Sequence, residues 1–254
     1  MEFGSFDLAY LLPFIAVGFA AQLVDGALGM AFGVISNTLL VAVMGVPPAI
    51  ASQRVHLVEC FTTATSGISH LLHGNVDKKL FFRLLIPGMI GGILGAYVLT
   101  SLDASVVKPF VLLYLSGIGI YLLVRGIAYP PKPREASTVA PLGLIGGFLD
   151  AAGGGGWGPV VTSNLLIQGA DPRKVVGTVN SVEFFLTITI SAAFIFHLGF
   201  ADVAGATLGL LIGGVLAAPL GAWAAKHFPT KVMLILVGVV LTLTSSYGVW
   251  RAWG

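Results

Sequence analysis

Asp150-Ala151-Ala152-Gly153-Gly154-Gly155-Gly156-Trp157-Gly158-Pro159 lies between two apolar runs. Four consecutive glycines disfavour continuous helix, each by about 1 kcal/mol relative to alanine. The run lacks the Lys-Ser/Thr of a phosphate-binding loop. A simpler version, Asp25-Gly26-Ala27-Leu28-Gly29, stands upstream. At membrane depth, unwound backbone survives only where protein buries it or where it lines a watery cavity.

Working outward, the two breaks belong to two copies of one pattern. Asp25, Gly29, Phe32 and Gly33 match Asp150, Gly154, Trp157 and Gly158 at one constant offset. Pro48, His56, Glu59 and His73 match Pro172, Asn180, Glu183 and His197 at an offset one residue shorter, and Gly95-Ala96-Tyr97 matches Gly221-Ala222-Trp223. So many matches in one order mark a duplication. Apolar stretches near 7–24, 26–45, 49–73, 80–101 and 106–125 resume near 139–151, 154–169, 172–197, 202–225 and 230–250. Most approach the ~20 residues that span a bilayer. Those at 139–151 and 154–169 are short enough to form a re-entrant pair. The expected fold is an all-α polytopic membrane protein of two inverted-topology repeats, about five segments each, with glycine-interrupted or re-entrant helices. The first repeat is 1–124, the linker 125–138 and the second repeat 139–254.

Composition agrees. The chain is 56% hydrophobic and 9% charged, against roughly 25% charged in soluble domains. Its net charge of +2 gives no footing for nucleic acid. Cys60 is the single cysteine, so no disulfide framework exists. No A-x-A-like cleavage site follows the first apolar run, and no cleavable signal is expected.

Inversion is read from charge. Lys78, Lys79 and Arg83, then Arg125, Lys132 and Arg134, then Arg173 and Lys174, then Lys226 and Lys231 all fall after odd-numbered stretches. By the positive-inside rule these links, the linker included, are cytoplasmic and both termini lie outside. Five segments per copy then turn the second copy upside down, as in many secondary transporters. The basic Lys78-Lys79 corresponds to the acidic Asp202 region, which is the swap that inversion requires.

The candidate site residues are polar groups in apolar surroundings. Ser52, His56, Glu59, Thr63, Ser66, His70 and His73 draw one stripe along a helix, with Asn180, Glu183, Thr187 and Ser191 as the second copy's stripe. Lipid penalises such faces, so both should look inward. Glu59 and Glu183 read as ion-coupling carboxylates or as structural hydrogen-bonding groups. Arg54, beside Gln53, offers five donors to an oxyanion or else pairs with Glu59 or Asp25. Thr178 replaces Arg54 in the second copy. Helix interruptions leave free N–H groups and a positive dipole end, which can face an anion at Gly29, Gly154 and Gly155 or simply form a turn. Asp25 and Asp150 read as caps of the broken helices. Gln53, Arg54, His56, Gly29, Gly154, Gly155, Thr178 and Asn180 are therefore the substrate-side candidates. No His-Glu-x-x-His and no Cys–His pair at ligand spacing occurs, so no catalytic residue, metal or cofactor is expected.

Asp150 through Pro159, Gly177-Thr178-Val179-Asn180 after a turn proline, the Gly-Ala pairs and the twofold repeat resemble the TauE/SafE sulfite-exporter-like permeases over residues 10–250. The resemblance implies a non-enzymatic carrier of sulfite, thiosulfate or an organosulfonate such as sulfoacetate across a prokaryotic inner membrane. Export coupled to a proton gradient is the expected mode, and a homodimer is left open. A cation or metal-ion carrier using Asp25, Glu59, Asp150 and Glu183 is the alternative. An intramembrane enzyme with His56 and Glu59 as acid and base is a third.

Overall fold

A computed structural model describes residues 8–128, 138–168, 170–200, 205–220 and 229–253. The Gly221-Ala222-Trp223 triplet, Asp202, Lys226 and most of the linker lie outside the described residues. Helix α1 (Leu8–Leu28) is followed by α2 (Phe32–Thr38), which runs on as a π-helical turn, Leu39–Val43. Then come α3 (Pro48–Leu72), α4 (Lys78–Ser101) and α5 (Ala104–Ala128). The second half holds α6 (Ala140–Gly153), α7 (Ser163–Ile167, entered through π-helical Trp157–Thr162), α8 (Pro172–Leu198), α9 (Ala206–Ala217) and α10 (Thr230–Trp253). No strand occurs among the described residues.

Local chemistry sets several of these ends. Asp77 caps α4 by accepting from the Lys79 and Leu80 N–H groups at 2.8 and 3.0 Å. Asp171 accepts from Arg173 N–H at 2.9 Å, with Pro172 in the first turn of α8. Pro48 opens α3 in the same way, where no intrahelical N–H partner is needed.

Helices α1, α4, α5 and α8 are long and apolar enough to cross ~30 Å of hydrocarbon. Phe82, Phe110, Phe196 and Trp250 are exposed, whereas Ser52, His56, Glu59, Thr63, Ser66, Asn180, Glu183, Thr187 and Ser191 are buried. Apolar outside with polar inside is the arrangement of a chain solvated by lipid. The protein is a multi-pass membrane protein.

Helix α6 has 14 residues, a rise of about 21 Å, and α7 with its π-helical approach is shorter still. Thr138 N–H donates to Gln168 Oε1 at 3.2 Å, so the start of α6 meets the end of α7. The pair is a short hairpin that returns to the side from which it began.

Contacts between the halves fix helix directions. Gln53 Nε2 donates to Gly199 O at 2.6 Å at one end of α3 and α8, and Lys174 Nζ donates to Gly74 O at 2.7 Å at the other. These two helices therefore run antiparallel. So do α5 and α10, where Ser116 meets Ser246 at 2.8 Å and Gly126 packs on Ile235. By contrast α4 runs parallel to α6, with Gly91 against Leu144 O and Gly95 against Phe148 O, and α1 runs parallel to α9 through Gly18 on Leu210 and Gly213 on Phe19. Bare glycine faces let these backbones touch, which is how helices associate where lipid removes the hydrophobic drive. Exchanging α1 for α6 and α4 for α9 turns the one parallel pair into the other.

Candidate functional site

The two helix breaks meet each other inside the bundle. A Cβ on Gly155 would lie 2.6 Å from Val34 N, and one on Gly158 would strike Met30. Gly154 (φ 71°) and Gly155 (φ 134°) hold conformations that side chains rarely adopt. Polar groups lock the contact from both sides. Asn37 Nδ2 of α2 donates to Gly153 O at 3.3 Å and covers Gly154, while Thr162 Oγ1 donates to Gly29 O at 2.9 Å. Tyr114 of α5 adds a hydrogen bond from its hydroxyl to Gly155 O at 3.2 Å.

Each break carries its own carboxylate. Asp150 Oδ1 accepts from the N–H groups of Gly156 and Trp157 at 2.7 and 2.9 Å. Asp25 Oδ1 accepts from Phe32 N–H at the looser distance of 3.4 Å. The half-helix N–H groups aimed at an anion in the sequence reading are thus already held by carboxylates of the chain. The second oxygen of Asp150 faces His56 Nε2 at 3.1 Å, and Nδ1 of that ring lies 2.7 Å from Ser52 O. Nδ1 faces a carbonyl and Nε2 a carboxylate, so both ring nitrogens are placed to donate. Ser52 Oγ also reaches Ala151 O at 2.8 Å, so one turn of α3 holds the end of α6.

Glu59 and Glu183 lie buried on the same α3–α8 pair. Glu59 Oε1 lies where a side chain on Gly33 would begin, at 2.9 Å. Glu183 Oε2 is buried without a hydrogen-bond partner. Asp25, Glu59, Asp150 and Glu183 are near enough to act on one another electrostatically, with His56 among them. Among the described residues no three His, Cys, Asp or Glu side chains are placed to hold one metal ion.

The substrate-side candidates do not converge on one point. His56 and the glycines of both breaks come together, and Asn180 packs its amide against Gly29 while accepting from Ser66 Oγ at 3.2 Å. Gln53 and Arg54 lie near the start of α3, beside the end of α8. Thr178 is elsewhere: its hydroxyl accepts from Asp77 N–H at 2.8 Å in the α3–α4 link. Antiparallel packing puts Gln53 and Thr178 at opposite ends of the pair, about 28 Å apart along the axis. The eight residues therefore do not gather at one point of the bundle. Arg54 is half-buried with an unpartnered Nε, and no ion pair with Glu59 or Asp25 forms.

Sequence reasoning missed Asn37, Thr162, Tyr114 and Gln22, the last buried beside Asp25. Asn37 and Thr162 occupy matching positions in the two copies. Aligning the copies for polar residues on the short helices would have found both.

The chain matches the family described as Sulfite exporter TauE/SafE over residues 14–248. It belongs to that family. As a TauE/SafE protein it is a membrane transporter, and not an enzyme. It is 44% identical over 252 residues to the "Probable membrane transporter protein YtnM" of Bacillus subtilis, covering 96% of this chain and 84% of that relative. A "Probable membrane transporter protein" of Haemophilus influenzae is 24% identical over 224 residues, with 84% and 86% covered. "Probable membrane transporter protein YunE" of Bacillus subtilis is 30% identical over 117 residues, covering 44% of this TauE/SafE chain and 42% of YunE. No solved structure matches.

Proposed function

We propose that this TauE/SafE protein is a proton-coupled secondary transporter that moves a small sulfur oxyanion, sulfite, thiosulfate or an organosulfonate, out across the inner membrane. Two inverted repeats, 1–124 and 139–254, would rock about the place where their broken helices meet. Support for the inversion comes from direction. Counterpart helices α3 and α8 run antiparallel, as do α5 and α10, while α1 parallels α9 and α4 parallels α6. Support for the orientation comes from Lys174 meeting Gly74, which brings two basic links to one face.

The carrying observation is the Asp150 carboxylate seated on two half-helix N–H groups and paired with His56. An anion is already accommodated there, in the geometry that a sulfonate or sulfite oxygen would use. In this reading a proton neutralises a carboxylate, and the freed N–H groups and imidazole accept the substrate. Glu59 and Glu183 supply the coupling proton sites. Arg54, with an unpartnered buried nitrogen, makes substrate contact near the start of α3. The test is thermal shift of the purified protein against a panel of sulfite, thiosulfate and sulfoacetate. Stabilisation lost in Arg54→Ala supports the reading, and no shift with any of them removes it.

Four buried carboxylates around one histidine favour a second reading, a cation carrier. Stabilisation by a divalent cation, with none by the oxyanions, would select it.

A further inference from the structure

One cavity lies away from the meeting breaks. It has a volume of about 530 Å³ and is walled by α3, α4 and α8. Ile68, Leu71, Phe81, Phe82, Phe184 and Phe185 make its lining almost wholly apolar. Phe81 and Phe185 meet edge to face at 5.8 Å, as do Phe184 and Phe185 at 5.1 Å, so the aromatic wall is built from two helices. Ile68, Leu71, Phe82 and Phe185 are also exposed on the outside of the bundle. The cavity therefore opens sideways, where lipid is the solvent. Its inner end is at Thr63, one turn from Glu59.

The other end carries charge. Lys78 lines the cavity at the start of α4 and is followed by Lys79, both exposed. Arg83 lies one turn on, and Lys174 of α8 reaches the preceding link through Gly74 O. The carboxylates at this end, Asp77 and Asp171, hold the N–H groups that open α4 and α8. An apolar slot beneath a basic rim matches one molecule of the bilayer, a lipid with hydrocarbon below and negative charge above. A free oxyanion would find a charged partner only at the Lys78 rim, because the Thr63 and Ser181 hydroxyls in the slot already donate to Glu59 O and Gly177 O.

We infer that this cavity is a binding site for an anionic phospholipid, one acyl chain lying between α3, α4 and α8 and the phosphate resting against Lys78. The volume is that of a small-molecule site. The occupied chain wedges the α3–α8 pair that carries Glu59 and Glu183, so lipid occupancy bears on the motion of that pair. The assignment is independent of the transport reading.

The test uses the full chain in phosphatidylcholine vesicles, with either phosphatidylglycerol or phosphatidylcholine spin-labelled near the end of one acyl chain. Electron spin resonance reads the motionally restricted fraction. Phosphatidylglycerol should be restricted with about fivefold higher association than phosphatidylcholine, and Lys78→Gln should abolish that preference. Ala64→Phe, which fills the slot, should lower the restricted fraction of both lipids. Lys78→Gln alters an exposed side chain, so it decides the matter even if Ala64→Phe fails to fold. Equal restriction of the two lipids in the wild type overturns the proposal. So does a preference that survives Lys78→Gln, or displacement of the labelled chain by an alkanesulfonate.

Discussion

Nε2 of His56 lies 3.1 Å from Oδ2 of Asp150, joining the first half's α3 to the helix break of the second half across 94 positions of sequence. Both side chains are buried, and the other oxygen of Asp150 holds two backbone N–H groups. Removing one partner of a buried pair leaves the other uncompensated, which costs about 3–5 kcal/mol. Asp150→Ala should therefore destabilise by that amount in denaturant titration of micellar protein. Asp25→Ala, whose carboxylate accepts one bond at 3.4 Å, should cost about 1–2 kcal/mol. Equal losses would mean that the two breaks are held alike.

The glycines separate by what surrounds them. Gly155→Ala places a Cβ 2.6 Å from Val34 N at φ 134°. Backbone strain alone is about 1–3 kcal/mol there, and the clash adds to it. Gly45→Ala meets nothing within 4 Å at φ 74°, so roughly 1–2 kcal/mol of left-handed strain is its whole cost. Thermal unfolding in one detergent compares the two, and Gly155→Ala should also abolish transport.

Arg54→Ala removes a charged donor whose Nε has no partner among the described residues. A charge-assisted hydrogen bond to substrate is worth about 1.5–3 kcal/mol. Affinity for the transported oxyanion should fall roughly 10- to 100-fold while protein stability stays within ~0.5 kcal/mol. Radiolabelled substrate binding measures the first and thermal unfolding the second.

Glu59→Gln and Glu183→Gln keep shape and hydrogen-bonding capacity but cannot carry a proton. Each should leave substrate binding within about twofold of the wild type, a change of ~0.4 kcal/mol, and should abolish the stimulation of flux by a proton gradient. A gradient response that persists in both variants would assign coupling elsewhere.

Much of this architecture can be read along the chain. The stripe from Ser52 to His73 and the prolines at 48 and 172 place α3 and α8 to within a residue, because helical period and proline chemistry are local. Each interruption shows through its own glycines and aspartate. What cannot be read is which groups of one half meet those of the other. Asn37 finds Gly153 O, and Thr162 finds Gly29 O, through packing alone. Thr178 looks like a site residue because it replaces Arg54 in the repeat. Antiparallel packing of α3 and α8 carries it instead to Asp77, at the far end of α3. The π-helical turns Leu39–Val43 and Trp157–Thr162 also leave no local signature.

Proteoliposome flux measures proton-coupled oxyanion transport itself. With a proton gradient imposed, labelled sulfite, thiosulfate or sulfoacetate should cross the membrane against its own gradient, and the movement should cease with a protonophore or in Asp150→Asn. Flux of a divalent cation in the same vesicles, with no movement of any sulfur oxyanion, would contradict it.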